Sequence, residues 1–262
     1  MDTHDVARAS VVCARIGDGA GGEGFGNEDN NEYVANFARK HPDRISTWVD
    51  VDCSWRAEHH TAGAVDRLRE EISKNDAQGF THYVNAENDG WFKSDEGQEF
   101  FATAAQLKVV ASVALTPAWL SDLRVVATAN PTLPFLIHHM GMPKNTGSGY
   151  DQHEVSELLE CAKVPNIGVK ISGFNYNNRK KYDFPYTESQ SLFKIIYQNF
   201  GARRIFWASD FPASRDMLTY SQAIEVVRDH CDYLPEADLN RLLGDNLNDL
   251  LNNPVLTTGK FH

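Results

Sequence analysis

Residues 204–212, Arg-Ile-Phe-Trp-Ala-Ser-Asp-Phe-Pro, carry an apolar run into an acid beside a serine. A barrel strand delivering a carboxylate to its carboxyl end reads this way, and a carboxylate there can serve as a general base. The competing role for Asp210 is to cap a helix starting near Ser214. Upstream, Leu-Pro-Phe-Leu-Ile-His-His-Met-Gly-Met-Pro at 133–143 ends a second run in two histidines and a glycine turn. Strand side chains alternate, so one of His138 and His139 is expected to face inward; the alternative for such a histidine is a hydrogen-bonded core position. Residues 79–88 bring His82, Tyr83, Asn85 and Glu87 to another strand end. Lys170 and Ser172, two apart, share one strand face, either as a polar core layer or as substrate contacts. Asp50 and Asp52 close a further run and read as a polar layer rather than a metal site, since no histidine joins them closely in sequence. His59 and His60 read as the exposed approach to a helix.

These residues need strands to position them. Short runs rich in Val, Ile and aromatics fall at 9–14, 45–52, 79–86, 108–115, 133–139, 167–173 and 204–209. Between them, apolar residues recur three or four apart at 30–40, 62–74, 96–106, 121–129, 154–162, 189–200 and 217–229, and a last helix is expected over 236–251. Strict alternation of strand and helix predicts parallel strands joined by right-handed crossovers. The expected fold class is α/β, a (β/α)8 TIM-like barrel apparently lacking its first strand, with residues 1–262 as one domain. The glycine-rich stretch 17–26 lacks the endings of a phosphate-binding loop and reads as a loop after the first strand.

Composition narrows the function. The 262 residues carry a formal charge of −11, with no basic cluster beyond Arg179-Lys180-Lys181, which argues against nucleic-acid or anionic-membrane partners and for a small-molecule substrate. No run approaches the roughly 18 apolar residues of a membrane span. The four cysteines form no CxxC pair, which predicts reduced thiols and a cytoplasmic setting.

Leu-Ile-His-His-Met-Gly-Met-Pro at 136–143, Asn-Ile-Gly-Val-Lys-Ile-Ser-Gly at 166–173, the 204–212 stretch and Asn-Leu-Asn-Asp-Leu-Leu at 246–251 resemble, in order and spacing, the amidohydrolase-related family. The resemblance runs over nearly the whole chain and is nearest the branch of 2-pyrone-4,6-dicarboxylate hydrolase and fuconolactonase-like lactone hydrolases. It implies a distorted barrel with its site at the carboxyl ends of the strands. Asp210 falls on the family's strand-eight aspartate and His139 on its strand-six histidine. The resemblance thus implies that Asp210 takes a proton from water attacking an ester carbonyl, while His139 binds the carbonyl oxygen or a substrate carboxylate. His82, Asn85 and Ser172 are expected substrate contacts.

Two departures from that pattern stand out. The family's opening strand, ending in His-x-His, has no counterpart, because Met1-Asp-Thr-His4 follows no apolar run; either the natural chain starts upstream or this strand is lost. Thr81-His82-Tyr83 stands where the branch often carries an arginine for a substrate carboxylate, which speaks against a dianionic pyrone. Without His-x-His, no metal is expected, as a catalytic zinc needs three or four ligands. Open strand edges suggest a homodimer. The alternatives are a metal-dependent amidohydrolase or decarboxylase with ligands further upstream, and a catalytically silent barrel that binds a small molecule.

Overall fold

The computed structural model describes residues 1–16, 26–254 and 256; the glycine-rich stretch from Gly17 lies, but for Gly26, outside them. Each expected strand is present: β1 (Ala9–Val12), β2 (Ile45–Asp50), β3 (Gly79–Tyr83), β4 (Val110–Ala114), β5 (Phe135–Ile137), β6 (Ile167–Ile171) and β7 (Ile205–Trp207). The helices between them are α1 (Asn30–Lys40), α2 (Ala64–Asn75), α3 (Asp95–Leu107), α4 (Leu120–Ala129), α5 (Gln152–Cys161), α6 (Phe174–Asn177), α7 (Thr187–Phe200) and α8 (Tyr220–Arg228). The chain closes on α9 (Glu236–Asn240) and α10 (Asn246–Asn252), joined through a π-helical turn at Arg241–Asp245. The fold class is α/β, of the TIM-barrel type.

The chain divides into two compact units, one of residues 1–114 and 122–135, the other of residues 115–121 and 136–262. In the first, β1 to β4 form a parallel ladder, with Ala9 opposite Ile45, Trp48 opposite Gly79 and Gly79 opposite Val110. All six residues of β2 and all five of β4 are buried, as expected of parallel strands covered on both faces. Trp48, Phe80, Phe92, Phe100 and Phe101 are sealed from solvent, each worth roughly 1.5–3 kcal/mol of transfer free energy.

In the second unit β6 pairs with β7, Lys170 opposite Phe206. Arg204 fixes the start of this pair: its buried guanidinium donates to the carbonyls of Ala162, Val164, Ile167 and Phe200. Asn246 on α10 donates to the carbonyls of Ala202 and Ile205, tying the last helix to β7. With the entrance of β6 and β7 held this way, their far ends present Ser172 and Asp210 in fixed register.

Candidate active site

In the second unit β5 stops at Ile137, and the chain turns through a short 3₁₀ segment at His139–Gly141. This ends strand alternation, so His138 and His139 both turn into the interior rather than one of them, a correction to the alternating expectation. Each meets a residue at the end of β6 or just past it. Lys170 Nζ donates to His138 Nε2 at 2.8 Å, and Ser172 Oγ lies 2.9 Å from His139 Nδ1. Asn177 holds the turn by donating from Nδ2 to the His139 carbonyl.

Asp210 follows β7 and is part-buried. Tyr176, on α6, donates its hydroxyl to Asp210 Oδ2 at 2.6 Å. Asp210 Oδ1 lies 3.8 Å from His139 Nε2, and the rings of His139 and Tyr176 meet edge to face. The capping role for Asp210 is excluded: α8 begins six residues later than Ser214, at Tyr220, and Thr219 caps it in a reciprocal capping box with Gln222. Tyr176 was missed in the sequence because its reach to Asp210 spans 34 residues; the glycine turn directly after β6 was the available signal.

Burial governs the protonation states here. It pushes the His139 imidazole down to about 4, with Lys170 acting in the same direction and Asp210 opposing both. It pulls the Lys170 amine down to about 7 against the pull of Asp210. Burial first, then the bond to Asp210, raises the Tyr176 phenol well above its ordinary range. At neutral pH the site therefore presents a neutral imidazole, a phenol that stays protonated and an amine near its titration point.

The first unit holds a different cluster, and it corrects the sequence reading of His59 and His60. Asp52 is buried, with Arg67 bonded to its Oδ1 and the His60 main-chain N–H donating to its Oδ2 at 2.8 Å. His59 Nδ1 donates to the Asp52 carbonyl at 2.6 Å. The His60 ring is shielded, its side chain 6% exposed, and stacks between His59 and Trp91. These histidines join Asp52 rather than line an exposed approach, because both Asp52 and His60 take a left-handed turn. Asp50 points elsewhere, accepting from the Arg15 main-chain N–H and the Trp55 indole. His82 is fully buried among Trp91, Phe92, Phe100 and Phe101, and burial holds its imidazole well below the usual range. Asn85 lies on the exposed loop after β3. Ser172, by contrast, stands beside His139 as described.

Backbone strain marks the same residues. Ten described non-glycine residues have left-handed φ, of which Asp5, Asp76, Lys108 and Met142 stand at the C-terminal ends of helical segments, where that conformation terminates the helix, and Tyr186 stands just before α7. The others are Asp52, His60, His139, Met140 and Asp210. Such conformations cost about 1–3 kcal/mol each and collect at functional sites.

Asp210 and the neutral imidazole of His139 thus follow parallel strands of an α/β fold of the TIM-barrel type. The amidohydrolase family model matches residues 2–251. The chain belongs to the amidohydrolase family, and its enzyme class is hydrolase. No curated protein matches it. Among solved structures it is similar to an amidohydrolase from Burkholderia multivorans with bound zinc (17% identity, 97% of this chain and 86% of that one, TM-score 0.76). It is also similar to a probable 2-pyrone-4,6-dicarboxylic acid hydrolase from Acinetobacter baumannii with citric acid bound (18%, 96% and 85%, 0.72). A 2,6-dihydroxybenzoate decarboxylase from Rhizobium shares the fold more distantly (14%, 85% and 75%, 0.55). At these identities the likeness is one of fold.

Among the described residues, His139 and Asp210 offer two ligand atoms to a metal of the kind seen in the Burkholderia protein, where a zinc site needs at least three. Among the described residues, the group of three metal-ligating side chains with mutually close ligand atoms is Asp52, His59 and His60.

Proposed function

We propose that this chain hydrolyses a small cyclic ester, a lactone or a related carbonyl compound, with Asp210 activating water directly and no metal in the step. One observation carries the reading. Tyr176 occupies one oxygen of Asp210, while the other stands 3.8 Å from His139 Nε2. An oxygen atom about 2.8 Å from each fits that separation, so one water can touch the base and the imidazole together. Asp210 takes its proton as it attacks the carbonyl carbon, and returns the proton to the ring alkoxide when the C–O bond breaks. With the Ser172 hydroxyl donating into Nδ1, His139 carries its proton on Nε2 and donates to the oxygen on which charge grows. A neutral imidazole suits this role, since it adds no charge to the ground state. Tyr176 acts as a positioning residue that fixes the carboxylate plane.

Hydrolysis of sugar lactones, muconolactones and pyrones by the protein and by Asp210→Asn tests the proposal. Turnover should fall about 10²–10⁴-fold in the variant; absence of turnover by folded wild-type protein across those classes overturns it. We propose further that the protein works in the cytoplasm, since Cys13, Cys53, Cys161 and Cys231 are all buried thiols, and as a homodimer through an exposed strand edge.

A further inference from the structure

In the first unit, α1 turns three sides to three surroundings. Asn31, Val34, Ala35 and Ala38 are buried. Glu32 pairs with Lys74, and Arg39 donates to the Lys74 carbonyl, so the side that carries them faces α2. At about 100° per residue, Asp29, Tyr33, Phe37, Lys40 and His41 make up the remaining side, which is turned away from α2. Because β1 precedes α1 and α2 follows β2, this side borders β1. All four residues of β1 are only half-buried, whereas β2 and β4 are buried throughout.

The aromatics on this side stand in water. Tyr33 is 68% exposed and Phe37, one turn on, 49%; the Phe37 ring meets that of His41 with centroids 4.8 Å apart. Rings in line on one helix side form an apolar stripe, unlike single exposed side chains. Charge is ordered along the same stripe. Asp29, exposed, stands at the N-cap and spends no side-chain hydrogen bond on capping, while Lys40 and His41, both exposed, stand at the other end. The order acid, aromatic, aromatic, base is complementary to itself when reversed. Two copies of α1 laid antiparallel about a two-fold axis level with Ala35 set Tyr33 of each against Phe37 of the other, and Asp29 of each against Lys40 and His41. Each contact is then made twice, as an isologous interface requires, and the opposed helix dipoles favour it. A parallel pairing would set Asp29 on Asp29 and Lys40 on Lys40.

We propose that a second copy of this chain docks on this side of α1, antiparallel, through Tyr33 and Phe37 with Asp29 and Lys40 as the flanking ion pairs. The proposal rests on the homodimer proposed above and gives it a contact beside the β1 edge. One helix side next to one strand edge lies at the low end of interface sizes, where association is weak.

Sedimentation of the full-length protein from about 1 to 200 µM, in about 0.05 M salt, is the test. Wild type should pass from monomer to dimer within that range. Phe37→Glu should raise the dissociation constant at least about 10-fold, and Asp29→Lys or Lys40→Glu about 3- to 10-fold each. An equimolar mixture of Asp29→Lys with Lys40→Glu should recover the wild-type constant, because both ion pairs form again with reversed sign in the mixed dimer. Should Asp29→Lys fail to fold, the exposed positions changed in Phe37→Glu and Lys40→Glu carry the comparison. Wild type that stays monomeric overturns the contact and the homodimer together. A dimer that Phe37→Glu and Lys40→Glu leave as tight as wild type overturns the contact and keeps the homodimer. Single charge variants that weaken the dimer and do not recover on mixing overturn the antiparallel arrangement. Lactone turnover by the monomer is read separately and bears only on the Asp210 chemistry.

Discussion

Asp210 earns its place through one phenol. The Tyr176 hydroxyl bond to Oδ2 is charge-assisted and short, a class worth about 1.5–3 kcal/mol. Tyr176→Phe should lower kcat about 10- to 100-fold with KM little changed, because the carboxylate loses its orientation and not its substrate; steady-state kinetics on the best lactone check this. Gly173 serves the same centre by staying small. Its φ is +67°, and a Cβ there would meet Tyr176 Cδ2 at 2.6 Å and His139 Nδ1 at 3.0 Å. Gly173→Ala should therefore cost about 1–3 kcal/mol by chemical denaturation and reduce activity as well. Of these residues, Asp210, His139 and Ser172 were legible in the sequence, since each follows an apolar run. Tyr176 and His60 were not, because nothing local records a contact 34 or 22 residues away.

Strands and helices were the most legible scale. The 3.6-residue period gave α1 to the residue, and Thr219 with Gln222 marks the true start of α8. Strand ends were overestimated where function intervenes: β5 stops two residues before His139, since a left-handed turn at 139–140 carries no signature in hydrophobic pattern. β6 does most to place the site, because Lys170 within it and Ser172 just past its end meet the two histidines. Lys170 should show itself in pH dependence. Its amine binds a proton near 10.5 in the unfolded chain and only near 7 in the fold. Between those values the unfolded state holds more protons, so stability rises with pH from 7 toward 10.5. Lys170→Met should remove that rise in urea midpoints, and also remove an inflection near pH 7 in kcat/KM.

For the molecule as a whole, the acid limb belongs to the two buried histidines whose imidazoles burial holds low, His82 and His139. A free histidine protonates near 6.5 and His139 near 4, so stability should fall as pH drops from 6.5 toward 4. Denaturation midpoints at pH 7, 5.5 and 4.5 would show the decline, and His139→Asn should flatten part of it. The α/β class was readable from alternation alone, and the described residues contain no helix long and apolar enough to cross a membrane. The histidine cluster escaped because it is assembled from a strand end, a loop and a neighbouring strand. The left-handed backbone at Asp52, His60, His139 and Asp210 also shapes how the chain tolerates change. In a saturation library, glycine and asparagine at these positions keep the backbone they require, whereas valine and isoleucine do not. Abundance and activity scores should separate for the first pair and fall together for the second. A comparison of four codons per position would then tell selection for folding apart from selection for chemistry, with no substrate in hand for the folding half.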